Sequence, residues 1–431
     1  MMKLITRREY DAKCEATKNE RLRWFREARY GLFIHYGLFS APGRGEWLQT
    51  QENIPIEEYE KLTASFTPKE GCCDEWCALA KRSGMKYAVL TTRHHEGFSL
   101  WDSKVNPYNS FNVCGRDLVR EFTDACRKYG LRIGLYSSLM DWHHPDGGRC
   151  AYDLDARRRF TEYLCELNGE LLSNYGKIDI LWYDMPWPME SSESWDSANR
   201  NNYLRSLQPD LLINNRSKMP EDFGTPEGAI NEEDRWWEAC MTFNGISWGY
   251  IDSEQAKPYS HSAQDIIRML RKCSAGGGNL LLNIGPTPDG SVPEEAVAPL
   301  EAVGAWLSEN GEAVYGEKTK LLSGMAMGNG VTDVTVSADQ RKYYFWNYIW
   351  PKNGELVLGG YMDAPKKVYL LSDGRPLDFE MRGHAIAVKG LPDRSPDRHA
   401  GIPVVVAEFD KKPEFVFASY YPQIHGGKTY V

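Results

Sequence analysis

The sequence predicts an α/β fold, a parallel (β/α) barrel followed by a smaller antiparallel β-domain. Three observations carry that prediction. Short apolar runs alternate with helical segments over roughly the first 300 residues, the order that builds parallel sheets. Those runs are apolar throughout instead of at every second residue, which suits strands covered on both faces. After about Gly316 the pattern changes to short alternating segments parted by turn residues, the signature of a β-sandwich of about 110 residues. At 431 residues the chain can build one barrel-sized core and a second, smaller one. The expected division is a barrel over 1–318 and a sandwich over 319–431, packed directly because no low-complexity linker parts them. A doubly wound sheet is the alternative for the first part.

Residues 7–28 read as a charged amphipathic helix that leads into a first strand over 30–37, interrupted by His35. Residues 74–83 have helical spacing, with Gly84 suited to the left-handed position after the end. A second strand, 86–92, runs into Arg93-His94-His95-Glu96-Gly97. A helix over 117–129, stopped by Gly130, leads to a third strand, 131–137, that contains Tyr136. A long helix over 157–175 precedes a strand over 177–184 that ends in the carboxylate of Asp184. Residues 203–207 are helical, and 211–215 form a strand that stops at Arg216, after which a polar loop region runs to about Asp234. A helix over 263–274, broken by Gly276-Gly277-Gly278, comes before the last strong strand, 280–284. A helix over 293–310 has Pro near its start and Gly311 as its stop. In the C-terminal part, strands are expected over 331–337, 342–346, 356–359, 367–371, 385–388 and 404–409.

Composition excludes several functions. The net charge is -9 with both signs interspersed, and no basic run or basic amphipathic stretch points to nucleic acid or a membrane surface. The first 30 residues lack the apolar core of a signal peptide, and no run approaches membrane-spanning length, so a cytoplasmic location is expected. The ten cysteines show neither paired metal-type spacing nor a Cys-x-x-Cys motif and read as reduced thiols. The run Gly276 to Gly278 ends a helix before a strand, the reverse of a phosphate-binding loop, so a nucleotide site is discounted. The 14 Trp and 24 Tyr suit platforms for the faces of sugar rings, although many such residues simply fill cores.

The informative pattern lies at the strand ends: His35, His94-His95, Tyr136, Asp184 and Arg216. The carboxyl ends of barrel strands converge on one face. A single buried His is commonly a satisfied core residue, and Asp184 alone could simply start the turn at Met185-Pro186. Five successive strands with polar ends point instead to a polar active site. No metal is expected, because adjacent His94 and His95 in a regular strand would face opposite sides and no helical His pair exists. No Gly-x-Ser-x-Gly elbow is present. Paired carboxylates remain: Asp184, with a partner among Glu227, Glu232, Glu233, Asp234 and Glu238. Two carboxylates with histidines, an arginine and tryptophans form the constellation of a glycoside hydrolase.

Specific motifs then carry a family resemblance. They are Gly31-Leu32-Phe33-Ile34-His35-Tyr36-Gly37, Gly45-Glu46-Trp47, Tyr87-Ala88-Val89-Leu90-Thr91-Thr92-Arg93-His94-His95-Glu96-Gly97-Phe98 and Leu100-Trp101-Asp102-Ser103. Further matches are Gly134-Leu135-Tyr136-Ser137, Leu181-Trp182-Tyr183-Asp184, Asn214-Asn215-Arg216, Thr225-Pro226-Glu227, Trp237-Glu238-Ala239-Cys240-Met241-Thr242 and the stretch from Gly277 to Pro286. From about Trp24 to Gly316 the chain resembles the α-L-fucosidases of glycoside hydrolase family 29. The resemblance implies a (β/α)8-like barrel followed by a β-sandwich, no cofactor, and hydrolysis of terminal α-L-fucose from fucosylated oligosaccharides with retention of configuration. It makes Asp184 the nucleophile and Glu227 the acid/base residue, with Glu238 as the rival for that second role. It places fucose-binding groups at His35, Glu46, Trp47, His94, His95, Tyr136 and Arg216, and apolar contacts to the sugar's methyl group at Phe33 and Trp248. The sequence departs from many members directly after the nucleophile, where Met185-Pro186-Trp187-Pro188 replaces Gly, which bears on the aglycone side.

The retaining mechanism adds demands: carboxyl groups about 5–5.5 Å apart, Asp184 ionised, Glu227 protonated, and a bulge or strand end that lets both His94 and His95 face inward. The competing readings are a retaining exo-glycosidase on a related, galactoside-type sugar and a catalytically silent carbohydrate-binding protein. The oligomeric state stays open, a homo-oligomer included.

Overall fold

A computed structural model describes residues 4–252, 256, 260–320 and 332–415. The chain forms two compact units, one from residues 1–261 and 279–300, the other from 262–278 and 301–431.

The first unit is built on a seven-stranded sheet: β1 (Tyr30–Ile34), β2 (Tyr87–Arg93), β3 (Arg132–Ser138), β4 (Ile180–Asp184), β5 (Leu212–Ile213), β6 (Trp237–Met241) and β7 (Gly278–Ile284). The order across the sheet is β5-β4-β3-β2-β1-β7-β6. Every pairing from β5 through to β7 is parallel. Helices between the strands start and stop where local chemistry dictates. Leu118–Tyr129, for example, is capped by the Asp117 carboxylate at its start and closed by Gly130 at φ +67°.

The two outer strands do not remain open edges. Residues 223–227 lie between them through parallel bridges Asn214↔Phe223, Gly224↔Trp237 and Glu227↔Cys240. Backbone hydrogen bonds from Asn215 N to Phe223 O (3.0 Å), Glu238 N to Gly224 O (2.9 Å) and Cys240 N to Pro226 O (3.0 Å) hold this segment in place. Unpaired backbone groups are thereby satisfied. The polar composition of the segment reads as a loop, and β6 escapes an apolar-run criterion because Glu238 sits in its middle.

Inward-facing residues of successive strands form one core: Phe33, Tyr87, Val89, Tyr136, Ile180, Trp182, Leu212, Cys240 and Leu281, with Phe223 from the bridging segment. The helix Arg7–Ala28 adds Leu22, Phe25 and Ala28 to it. Phe25 is fully buried, with its ring 4.8 Å from Phe223 and 5.6 Å from Tyr87.

The second unit carries strands β8 (Thr332–Val336), β9 (Lys342–Asn347), β10 (Leu356–Gly359), β11 (Lys367–Leu370), β12 (Asp378–Arg382), β13 (Ala385–Lys389) and β14 (Val404–Glu408). They make two antiparallel sheets, β11-β14-β9-β8 and β10-β13-β12. One apolar core joins them, with Val336, Phe345 and Val405 from the first sheet and Leu358, Ile386 and Val388 from the second. The expected strand over 331–337 begins one residue outside the described residues. β12 was not anticipated, because Asp378, Glu380 and Arg382 leave too few apolar positions for an alternating signal. All ten cysteines are free thiols. Among the described residues, no helix is long and apolar enough to cross a membrane.

The N-terminal helix should be integral to the first unit. Phe25→Ala is expected to cost about 3–5 kcal/mol, read as a lowered urea midpoint with unchanged m-value.

Candidate active site

The strand ends meet in one pocket. Phe33 and His35 come from β1 and the residue after it, His94 and His95 follow β2, and Tyr136 comes from β3. Trp182, Asp184 and Met185 come from β4 and the turn after it. Arg216, Glu227, Cys240, Trp47 and Trp248 complete the lining.

Asp184 is held from several sides. Its Oδ1 accepts hydrogen bonds from Arg216 Nη1 (2.7 Å) and from the Met185 backbone N–H (2.8 Å). Its Oδ2 accepts from the Tyr136 hydroxyl (2.8 Å), and His95 Nε2 lies 3.8 Å from the same oxygen. The chain turns sharply directly after that N–H, with Met185 at φ +43°.

Arg216 stands in the 3-10 turn Asn215–Ser217 directly after β5. Its Nη2 donates to Glu227 Oε2 (2.6 Å), and its Nε donates to Thr225 Oγ1 (3.0 Å). Thr225 in turn donates to Asn215 Oδ1 (2.9 Å). The guanidinium lies over the Trp182 ring, 4.9 Å from its centroid. Burial alone would lower the pKa of Arg216, but the charges of Asp184 and Glu227 outweigh it and hold the group above its usual range.

The histidines occupy the pocket because β2 ends before them. The register of β2 against β3 slips between Thr91 and Arg93, and the strand stops at Arg93, as the inward placement of both rings required. The His94 and His95 ring centroids are 3.9 Å apart. The tautomers of His95 and His35 follow from their partners. The Ser138 hydroxyl donates to Met140 O (2.6 Å), so it accepts from His95 Nδ1 (2.7 Å), which leaves His95 Nε2 as an acceptor. Asn283 donates its amide to Trp248 O (2.7 Å), so its Oδ1 accepts from His35 Nδ1 (2.6 Å), which leaves His35 Nε2 as an acceptor. Burial pushes His35 down to about 4 and His94 and His95 well below the ordinary imidazole range. All three are neutral at pH 7 and suited to sugar hydroxyls.

Not every anticipated residue lines the pocket. Glu46 is buried, and its Oε2 accepts from the Ser247 hydroxyl (2.7 Å) and from the backbone N–H groups of Trp248 (3.1 Å) and Gly249 (2.8 Å), which fixes the loop that carries Trp248. Glu238 lies inside the core of the first unit, where it accepts hydrogen bonds from the Tyr87 hydroxyl and from Trp182 Nε1 (3.0 Å). Burial raises it to about 7. Glu233 pairs with Arg235 (2.7 Å). Met185, flagged in the sequence as the departure after Asp184, lines the pocket, whereas Trp182, Cys240, Asn283 and Ser138 belong to the site or its support and were given no site role from the sequence. Asn283 carried a usable signal, an amide after the apolar run 280–282 at the carboxyl end of β7.

His94, His95 and Asp184 offer ligand atoms within 4.8 Å of one another, the spacing of a metal site. Arg216 already places a positive charge on that carboxylate, which opposes a cation there.

A family model described as alpha-L-fucosidase matches residues 2–312. Human tissue alpha-L-fucosidase is 33% identical over 372 residues, covering 78% of this chain and 77% of the human protein. The structure of alpha-L-fucosidase isoenzyme 1 from Paenibacillus thiaminolyticus superposes with a TM-score of 0.83 at 32% identity, covering 92% of this chain and all of that one. A GH29 alpha-L-fucosidase from Bacteroides thetaiotaomicron, trapped as a covalent intermediate in complex with 2-fluoro-fucosyl fluoride, superposes with a TM-score of 0.80 at 26% identity, covering 90% and 96% of the two chains.

The buried groups set opposite pH limits on stability. His35, depressed in the fold, contributes stability that is complete above about 6.5 and lost as pH falls toward 4. Glu238, raised in the fold, contributes stability that is complete below 4.5 and lost as pH rises through 7. Glu238→Gln should therefore gain on the wild type by up to about 3 kcal/mol between pH 4.5 and 8, visible in Tm measured across that range. A pH-independent difference would remove Glu238 as the cause.

Proposed function

The chain belongs to the alpha-L-fucosidase family, and on that premise we propose that it is a retaining, exo-acting α-L-fucosidase that removes terminal α-L-fucose from oligosaccharides or glycoconjugates. In this reading the seven-stranded sheet, with residues 223–227 as its eighth member, is a (β/α)8-like barrel, and the C-terminal sheets are a β-sandwich.

One observation carries the mechanism. Asp184 and Glu227 accept hydrogen bonds from the two terminal nitrogens of one guanidinium, at 2.7 and 2.6 Å. Carboxyl groups that share an arginine suit the separation of about 5–5.5 Å used for retention better than the 6.5–9.5 Å that makes room for water in an inverting enzyme. Asp184, oriented by Tyr136, Arg216 and its own turn, attacks the anomeric carbon and forms the glycosyl-enzyme. Glu227 protonates the departing oxygen, then takes a proton from the water that releases fucose. It is the more accessible of the pair, with 43% side-chain exposure against 13% for Asp184, as a group facing the leaving sugar should be. Delivering a proton requires its contact with Arg216 to open as substrate enters. The acceptor nitrogens of His35 and His95 accept hydrogen bonds from hydroxyl groups of the sugar.

Specificity for fucose over a galactoside-type sugar rests on Phe33 and Trp248. Their rings pack 5.9 Å apart at the pocket wall and present an apolar surface suited to a methyl group, where a C6 hydroxyl would lose its hydrogen bonds.

Asp184→Ala is expected to reduce turnover of an aryl α-L-fucoside to below about 10⁻³ of wild type, with unchanged circular dichroism. Wild-type-like turnover would reject the nucleophile. Glu227→Ala should lose about 10²–10⁴-fold on natural linkages and far less on substrates with good leaving groups. Equal losses on both would move the acid role elsewhere.

A further inference from the structure

A second cavity opens on the same two loops that build the pocket. It measures about 510 Å³ and is lined by Trp187, Pro188, Glu190 and Lys218. On the loop after β4, Met185 lines the first cavity and Trp187 the second. On the loop after β5, Arg216 lines the first and Lys218 the second. Two residues span at most about 7 Å of chain, so on both loops a residue lining the second cavity stands within that reach of a residue lining the first, and the two cavities are neighbours.

Trp187 stands out among the 14 tryptophans as the one that is exposed, at 56%. Its loop is nevertheless anchored. The fully buried Trp195 donates its indole N–H to Met189 O (2.9 Å) and Pro186 O (3.3 Å), on either side of Trp187. The Trp187 N–H itself donates to Met185 O (2.8 Å). The second loop is anchored by the Ser197 hydroxyl, which donates to Ser217 O (2.7 Å) directly before Lys218. An aromatic face held out to solvent by an anchored loop matches the flat face of a pyranose. Lys218 supplies donors and Glu190 supplies acceptors for ring hydroxyls. One charge of each sign suits a neutral sugar better than an acidic one.

Resting on the α-L-fucosidase reading, we propose that this cavity is the acceptor-side subsite, which binds the neutral pyranose to which the terminal fucose is linked. Trp187 is its stacking platform, and Lys218 and Glu190 are its hydroxyl partners. These residues decide which fucosylated oligosaccharides are cleaved without taking part in the chemistry.

The test compares wild type with Trp187→Ala and Lys218→Ala on three substrates: α-L-fucosyl fluoride, which has no acceptor sugar, a neutral fucosyl disaccharide, and its sulfated counterpart. The expected result is a loss of about tenfold in kcat/KM on the neutral disaccharide for Trp187→Ala, a smaller loss for Lys218→Ala, and fluoride hydrolysis unchanged within about twofold. Equal losses on fluoride and disaccharide, or no loss on either, would overturn the subsite. A wild-type preference for the sulfated acceptor, abolished in Lys218→Ala, would overturn its assignment to a neutral sugar. A wild type inactive on fucosyl fluoride would instead overturn the fucosidase reading itself.

Discussion

One guanidinium organises the site. Arg216 donates to Asp184 on one nitrogen and to Glu227 on the other, while its face rests on Trp182. Two carboxylates brought this close repel each other, and a shared cation offsets that repulsion. The arginine needs support in turn, since taking its charge out of water is costly. Thr225 fixes its Nε, and Asn215 fixes Thr225. The segment that carries Thr225 and Glu227 is the one that bridges β5 to β6, so the backbone that satisfies two sheet edges also delivers the second carboxylate.

Beneath Arg216, a chain of buried contacts sets the position of Trp182. Its indole N–H donates to Glu238, which also accepts from Tyr87 in the core. Glu238 thus acts on the pocket through the ring under the arginine, and its complete burial keeps it from a leaving group. Asn283 and Ser138 do similar work for His35 and His95 by selecting one tautomer of each, and Glu46 braces the Trp248 loop. The residues that touch the pocket are therefore aimed by polar groups one layer back, each nearly fully hydrogen-bonded, as buried polar networks must be.

Much of this was legible in the chain. Continuous apolar runs identified six of the seven strands of the first unit, because burial on both faces leaves no polar positions. Polar residues where those runs end identified His35, His94, His95, Tyr136, Asp184 and Arg216, because strand ends are where a parallel sheet exposes side chains to one face. β6 and β12 were missed for one reason: charged residues at Glu238, Asp378, Glu380 and Arg382 interrupt the pattern, and only their partners or exposure explain them.

By itself the sequence determined the succession of strands and helices and the family, and it singled out the polar residues at the strand ends, since these depend on local periodicity and on residue types in specific motifs. The tertiary structure decided which carboxylate joins Asp184 at Arg216, which of the anticipated residues line the pocket and which brace it, and that Trp187 and Lys218 share a cavity beside it. Those outcomes turn on contacts between residues far apart in the chain, such as Glu46 with Gly249 or His35 with Asn283, where the spacing of residues along the sequence carries no distance information.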